Sequence, residues 1–376
     1  MKFIFLISGM SSWENTLPII YEFSKNKKNM IVIGIETKIF YTKFLEDEFR
    51  KNFLNVNNIV FLHLGRPKTI LEFLKLLKFY FTLSISKFNF IFETVDFDKD
   101  LKLSNFFLKF NLYLGCKRGK IFADSLSENE LRNTQIFYDA MGIKNKKLNF
   151  EKYDLLFTSN DENTLKQTYK DIIFSKNNFN IGKIKLNKDW LEYVNYFYDN
   201  KNLTDFDILI PLSATKGKFL RGYESLPNEN KLTIIFEVLS KIKNITVVFK
   251  PHSKSDMNYF NYLIKGFNFK YTVSNFHLNY LCSKSKIVLT YHPTSAQIYA
   301  KCFKKKVLEF GEYDKKIEDI LNGKARYSES VDKRILNDKF ELKNSIEFFL
   351  NNYKIEDKSN SPKENLSDLT NIIKNL

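Results

Sequence analysis

Residues 288–310, VLTYHPTSAQIYAKCFKKKVLEF, decide the fold because they predict a strand, a tight turn, a helix and a second strand in immediate succession. The apolar run VLTY ends at His292, and Pro293 restricts that histidine to an extended conformation. Thr294 and Gln297 have the spacing of a capping box, which starts a helix at once. A strand, a crossover helix and another strand indicate a parallel sheet with right-handed connections.

The same alternation extends through the whole chain. In the N-terminal half, strands are predicted at KFIFLIS, MIVIGIE, IVFLHLG, FNFIFETV, KIFADS and YDLLFTS, and in the C-terminal half at DILIPLS, ITVVFKPHS, FKYTVSN, KIVLTYHP and KKVLEFG. A polar, Asn-rich stretch at residues 175–205 interrupts the rhythm. The predicted class is α/β, with two tandem Rossmann-like domains at 1–190 and 205–338 and a helical tail at 339–376.

Local signals predict where several helices begin. Capping boxes are predicted at Ser127 with Glu130 and at Ser159 with Glu162, and one helix is predicted over residues 39–53. The segment ILEFLKLLKFYF is amphipathic and carries Lys75 and Lys78. Its spacing favours a helix packed against a core, with contact to an anionic membrane surface as the alternative.

Composition restricts the partners. The formal net charge is +16 and is spread over both halves, which favours a phosphorylated ligand or an anionic membrane surface. The sequence has no zinc-finger spacing, basic zipper or RNA-binding aromatic signature, so a nucleic-acid partner is not expected.

Cysteine usage and hydropathy predict the compartment. Cys116, Cys282 and Cys302 are odd in number and far apart, which argues against disulfides and a cysteine metal cage. The apolar run at the N-terminus is short and follows a single lysine, so a buried first strand is favoured over a signal peptide. No apolar stretch is long enough to predict a transmembrane helix, and a cytoplasmic protein is expected.

Two of the four histidines, His252 and His292, directly follow predicted strands of the second half. Parallel strands end at one edge of their sheet, so both histidines are expected at that edge, where such sheets bind ligands. The helix that starts at Thr294 offers free N–H groups and a partial positive charge, and the hydroxyls of Thr294 and Ser295 complete a phosphate cradle. The alternative is an ordinary strand-to-helix turn.

The loop SATKGKFLRGYES after the first strand of the second half adds three cations, Lys216, Lys218 and Arg221. Lysine and arginine there would pair with phosphate oxygens, although a solvated surface loop explains them equally well. The glycine spacing matches neither a Walker loop nor the dinucleotide fingerprint, so an ATPase or dehydrogenase is not predicted.

The pattern of two Rossmann-like halves, with KPHS at 250–253 and HPTSA at 292–296, resembles the GT-B glycosyltransferases. The two motifs are similar to the KPHP and HP/SS elements of bacterial capsule and lipopolysaccharide sialyl-, polysialyl- and Kdo-transferase-like families. Ser253 stands where KPHP has its second proline.

This resemblance implies a donor domain at 205–338 and an acceptor domain at 1–190. The donor would be a nucleotide sugar, with a CMP-sugar favoured and a UDP-sugar possible, and no other cofactor is expected. The acceptor would be a cell-surface glycan or a lipid-linked molecule, reached by an enzyme at the inner face of the cytoplasmic membrane. The implied donor-binding residues are Lys250, His252, His292, Thr294, Ser295, Lys218, Arg221 and, at the ribose, Glu309, which is equally well explained as a surface carboxylate.

An inverting transfer needs a base, and a carboxylate on the acceptor side is the usual solution, whereas a retaining transfer, the open alternative, would need no such base. Asp124 is favoured because FADSLSENE resembles the acidic motif of sialyltransferase-like enzymes, although it lacks that motif's glycine. Glu14 comes second, and Asp96 and Asp98 are weaker candidates. No i, i+4 histidine pair and no convincing DxD loop occurs, so a metal is not expected.

Two alternatives stay open. The same fold serves nucleotide-sugar 2-epimerases and polyol-phosphate transferases, and a non-catalytic nucleotide-binding protein is also compatible with the sequence.

Overall fold

The computed structural model describes residues 1–7, 10–35, 38–64, 69–85, 88–94, 109–122, 126–140, 142, 148–169, 171–199, 201, 203–213, 215–218, 224–252, 255–353 and 369–374. These residues form two compact units, each built on one parallel sheet. The first unit comprises Met1–Ser125, Lys147–Trp190 and Glu364–Leu376, and the second comprises Leu126–Lys146 and Leu191–Lys363.

The first unit contains a seven-stranded sheet in the order β3-β2-β1-β4-β5-β6-β7. Its strands are β1 (Lys2–Ile7), β2 (Met30–Ile35), β3 (Val60–His63), β4 (Phe90–Glu93), β5 (Lys117–Phe122), β6 (Leu155–Thr158) and β7 (Asn178–Asn180). The first helices are α1 (Met10–Ser24), α2 (Lys38–Glu46), α3 (Glu48–Val56), α4 (Ile70–Ile85), α5 (Glu128–Ala140), α6 (Glu162–Thr168) and α7 (Lys188–Asp199), with a 3₁₀ turn at Ile184–Leu186.

Both faces of this sheet are buried. Alternate residues of β1 and β4 point to opposite sides, so that Phe3, Phe5 and Phe92 stack with Phe23 of α1. On the other side, Ile4 belongs to a second apolar cluster, whose further members are Leu6, Val32, Leu64, Phe88, Ile91 and Cys116. Burial on both faces is typical of parallel strands covered by crossover helices.

The second unit contains a six-stranded sheet in the order β10-β9-β8-β11-β12-β13. Its strands are β8 (Phe206–Pro211), β9 (Thr246–Lys250), β10 (Lys270–Val273), β11 (Ser285–Thr290), β12 (Lys306–Phe310) and β13 (Lys333–Ile335), and all pair in parallel. The remaining helices are α8 (Asn228–Leu239), α9 (Met257–Ile264), α10 (Leu278–Lys284), α11 (Ser295–Cys302), α12 (Lys315–Leu321), α13 (Lys339–Asn351) and α14 (Leu369–Lys374).

Helix α5 belongs to the second unit although β5 and β6, which precede and follow it, belong to the first. Phe137 of α5 packs edge-on against Tyr313, with ring centroids 5.4 Å apart. Arg326 donates to Thr134 Oγ1 at 3.1 Å, and Ser330 Oγ donates to a carboxylate oxygen of Glu130 at 2.5 Å. The second unit is therefore assembled from two separate stretches of the chain.

The sequence predicted the sheets better than the helix ends. The capping boxes at Ser127 with Glu130 and at Thr294 with Gln297 are confirmed. The box at Ser159 is wrong, because Asp161 accepts from the Thr164 N–H and caps α6. The single helix predicted over 39–53 is also wrong, because Asp47 caps a second helix there.

None of the helices within the described ranges is both long and apolar enough to cross a bilayer.

Gly119 on β5 leaves room for the Phe92 ring at the centre of the first sheet. A Cβ placed on Gly119 would lie 2.5 Å from the ring carbon Cδ1 of Phe92. We expect Gly119→Ala to lower the free energy of unfolding by about 1 to 3 kcal/mol, because the core must be displaced to accept the methyl group. Urea denaturation measures the change, which should shrink in a Phe92→Leu background.

Gly266→Ala is the matched control, because no described atom lies within 4 Å of its added Cβ. Its effect should stay within about 0.5 kcal/mol. Equal losses at the two glycines would contradict the packing argument.

Candidate functional site

The site forms at the carboxyl ends of β8 and β11, which are neighbours at the centre of the second sheet. From β8 the chain continues to β9 on one side, and from β11 it continues to β12 on the other. In parallel α/β sheets this reversal opens a crevice in which ligands bind. The Ser213 N–H donates to the buried Tyr291 hydroxyl at 2.7 Å, which fixes the two loops to one another.

His292 follows Tyr291, and its imidazole packs edge-on against the Tyr291 ring at 4.7 Å between centroids. Only 6% of the residue is exposed. Burial, the positive charge of Lys231 and the neighbouring His252 together lower the pKa of His292 to about 3. The ring is therefore neutral at physiological pH and can donate one hydrogen bond and accept another.

The N-cap of helix α11, Thr294, lies two residues after His292, at the position predicted from the sequence. Thr294 is the N-cap residue, and its Oγ1 lies 3.5 Å from the Ala296 N–H. The Gln297 side chain accepts from the Thr294 N–H at 3.2 Å, which completes the capping box. Thr294 and Ser295 are partly exposed, so their hydroxyls can be reached from solvent next to the first turn of the helix.

A buried network holds this cap against the sheet. The Gln297 amide donates to Thr290 Oγ1 at 2.8 Å and to Glu309 Oε2 at 2.6 Å. The other oxygen of Glu309 accepts from the Tyr313 hydroxyl at 3.0 Å and lies 3.5 Å from Nε of Arg334. Glu309 is 2% exposed, and these contacts join α11 to β12 and β13. The ribose-binding role of Glu309 stays a prediction.

A second buried ion pair lies beside His292. Lys231 of α8 donates to Glu224 at 2.9 Å and to the backbone oxygen of Tyr291 at 3.2 Å, and both charged side chains are at most 2% exposed. Gly311 has φ +142°, and a Cβ there would lie 3.4 Å from the end of the Lys231 side chain. Sequence reasoning missed this pair, because nothing distinguishes Lys231 from the chain's many surface lysines.

The loops after β8 and β9 are joined by hydrogen bonds. Ser255 Oγ accepts from the His252 N–H at 3.0 Å and donates to the Ser213 backbone oxygen at 2.8 Å. Lys250 is half-buried, whereas His252 and Lys218 are exposed. Gly217, at φ +74°, donates to Glu229 at 2.6 Å, which ties the basic loop to the start of α8.

The structure brings most predicted donor residues to one edge of the second sheet. Lys250, His252, His292, Thr294 and Ser295 follow strands that end there, and the pKa of His292 responds to His252. Ser213, Tyr291, Lys231 and Gln297 were not predicted as part of this site, except that Gln297 was assigned to the cap.

Glu14, the second candidate base, is in α1 of the first unit, where it is partly buried and its carboxylate lies 3.6 Å from the Arg50 guanidinium. Asp124 and Arg221, as well as Asp96 and Asp98, lie outside the described residues. Their roles stay predictions.

Within the ranges that the structure describes, no group of three or more His, Cys, Asp or Glu side chains is arranged to hold a metal ion.

No protein-family model and no curated protein matches the sequence. Solved structures do match. A UDP-GlcNAc 2-epimerase from Neisseria meningitidis, bound to UDP-GlcNAc, has a TM-score of 0.55 at 15% identity over 100% of this chain and 99% of that chain. Another UDP-N-acetylglucosamine 2-epimerase has a TM-score of 0.55 at 14% identity over 99% of this chain and 94% of that chain.

MnaA of S. aureus, in a co-structure with UDP, has a TM-score of 0.54 at 13% identity over 100% of this chain and 95% of that chain. At such identities the likeness establishes the fold. The predicted class, α/β with two Rossmann-like domains of a GT-B fold, is confirmed.

The buried histidine predicts a pH dependence of stability. The folded pKa of His292, about 3, lies below its ordinary value of 6.5, so only the unfolded chain gains this proton as the pH falls below 6.5. Stability present above pH 6.5 is therefore lost on acidification, by up to about 1.4 kcal/mol per pH unit. His292→Gln should lose about 2 kcal/mol less than the wild type between pH 7 and pH 5.

Urea denaturation at the two pH values measures this difference, and His63→Gln in the first unit controls for removing a histidine. An unchanged pH dependence in His292→Gln would show that the imidazole takes up its proton over the same pH range in the folded and unfolded chains, which would contradict its lowered pKa.

Proposed function

We propose that the chain is an enzyme that acts on a nucleotide sugar, with the diphosphate of the donor bound at the carboxyl edge of the second sheet. One observation carries this proposal: a neutral, buried His292, the first turn of α11 and the end of β9 with Lys250 and His252 converge where the strand order reverses. Anions bind at such helix starts through free N–H groups and the helix dipole.

Each group would have a distinct role. The His292 imidazole would donate a hydrogen bond to a phosphate oxygen, and the hydroxyls of Thr294 and Ser295 would add two more donors. Lys250 and Lys218 would supply positive charge, together with Arg221 in the same loop. Because Lys231 is engaged with Glu224, it would act on the ligand through the field at His292 and not by contact.

The donor is proposed to be a UDP-sugar. The sequence resemblance favoured a CMP-sugar, but two of the matching structures have UDP-GlcNAc or UDP bound. A CMP-sugar therefore becomes the second donor to test.

The proposed reaction is glycosyl transfer to a glycan or lipid-linked acceptor. The motifs KPHS and HPTSA, in which Lys250, His252 and His292 occur, support transfer through their resemblance to transferase elements. Asp124 is proposed as the base that takes the acceptor proton, with Glu14 as the substitute. Glu14 already forms an ion pair with Arg50, so Asp124 is the preferred candidate for the base.

A second candidate, 2-epimerisation of a nucleotide sugar, is favoured by a different observation. Two of the structures reported above are UDP-GlcNAc 2-epimerases, and the match covers at least 94% of each. This reaction consumes no acceptor, which makes it separable from transfer.

The proposed site predicts that nucleotide binding stabilises the protein. We expect UDP or its sugars at about 100 times Kd to raise the free energy of unfolding by about 2.7 kcal/mol, measured as a shift in Tm. His292→Leu should weaken binding about ten- to hundredfold, because it removes a hydrogen bond to a charged group. The panel comprises UDP, CMP and GDP with their sugars.

Lys270→Gln is the matched control, because Lys270 is exposed and starts β10 at the opposite edge of the sheet. It should bind like the wild type. The absence of a Tm shift with every nucleotide would contradict the proposed function, and equal weakening by both variants would contradict the proposed site.

Proton NMR of the stabilising nucleotide sugar separates the two reactions. Without an acceptor, we expect a transferase to leave the sugar's H1–H2 coupling unchanged and to release the nucleotide only slowly. An epimerase would instead produce a second nucleotide sugar with a different coupling and no free nucleotide. The second outcome would overturn glycosyl transfer while keeping the donor site.

A further inference from the structure

Helix α4 of the first unit presents a large apolar face to solvent. Ile70 is 80% exposed, Leu71 63%, Leu74 55% and Phe81 64%. Single exposed apolar residues are ordinary on protein surfaces, but four large ones on one helix mark an interaction surface. We call these four residues the α4 face.

The helix is attached to the sheet by its opposite side. Leu76 packs against the cluster that contains Ile4 and Ile91. At 100° per residue, Ile70, Leu74 and Phe81 point away from Leu76, on the far side of the helix. The core packing favoured by the sequence is therefore seen at Leu76, whereas Ile70, Leu74 and Phe81 are exposed.

A neighbouring segment extends the surface. Residues 109–113 are helical, and Leu112 packs against the same cluster as Leu76, so both segments cover one side of the sheet. Phe110 is 42% exposed, Tyr113 87% and Leu114 46%. Aromatic rings with a polar tip suit the boundary between water and an apolar phase.

The charges of the two segments indicate what kind of partner binds the α4 face. The two segments, 70–85 and 109–114, contain three lysines, Lys75, Lys78 and Lys109, against one carboxylate, Glu72. Lys78 and Lys109 are exposed among the apolar side chains. The whole chain carries a net charge of +16, which opposes the approach of a second copy and favours a negatively charged partner. Apolar side chains interleaved with lysines are the composition that binds anionic bilayers in the interfacial plane.

We propose that the α4 face, with residues 109–114, binds the surface of an anionic phospholipid bilayer. This inference is independent of the proposed function, since it concerns the other unit and requires no nucleotide. The protein would lie on the membrane with Ile70, Leu74 and Phe81 inserted at the level of the headgroups and Lys78 against lipid phosphates.

Co-sedimentation of the full chain with vesicles tests the proposal. We expect binding to phosphatidylcholine vesicles that contain about 30% phosphatidylglycerol, and much weaker binding to phosphatidylcholine alone. Leu74→Gln combined with Phe81→Gln should lower the partition coefficient on the order of tenfold or more, because two apolar side chains no longer enter the bilayer. Glutamine is a good helix former, so α4 should be retained.

The matched control is Phe340→Gln combined with Phe348→Gln on α13, where the residues are 72% and 60% exposed. These substitutions should leave vesicle binding unchanged. Absence of binding to anionic vesicles, or equal loss in both double variants, would overturn the proposal. Sedimentation velocity would also overturn it if the wild type were a dimer that only the α4 variant converts to monomers. Nucleotide-induced Tm shifts in the same variants show separately whether the proposed function holds.

Discussion

The side-chain amide of Gln297 is the contact on which the candidate site depends. Its two N–H groups donate to Thr290 of β11 and Glu309 of β12, and its oxygen accepts from the Thr294 N–H at the start of α11. Both amide N–H groups and the amide oxygen therefore have hydrogen-bond partners inside the protein, where an unsatisfied polar group would be costly. Because one buried group joins two strands and a helix, the direction of the turn at His292 is fixed before any ligand arrives.

The buried charged groups around this turn are paired with groups of opposite charge. Lys231 and Glu224 compensate one another, while Arg334 lies between Glu309 and Glu318 and binds the latter through both terminal nitrogens. The cation of Lys231 that stabilises Glu224 also disfavours a proton on His292. The edge of the sheet thus combines a neutral hydrogen-bonding ring with a buried ion pair of Lys231 and Glu224.

Most strands and the start of α11 could be predicted from the sequence, and the elements and contacts that were missed have physical reasons for it. Strong period-two or continuous apolar runs predicted β1 to β6 and β8 to β12 correctly, and Thr294 with Gln297 predicted the start of α11. The short strands β7 and β13 and the helix α12 were missed, because three to seven residues of mixed polarity have no readable period. Asp47 and Asp161 were not predicted as N-caps, although each lies directly before the helix that it caps. The Lys231–Glu224 pair and the hydrogen bond from Ser213 to Tyr291 depend on long-range pairing, which no local pattern encodes.

The placement of α5 has a consequence for how the protein is made. Glu130 and its partner Ser330 are 200 positions apart in the sequence. Phe137 and its partner Tyr313 have a similar sequence separation. At about 5 to 20 residues per second, the ribosome needs about 10 to 40 seconds to supply the missing partners. During that interval β1 to β6 can already pair, whereas the apolar side of residues 126–140 has nothing of its own unit to cover it. Folding of the second unit is therefore incomplete until this early segment pairs with the late one, and its apolar side can take part in aggregation until then.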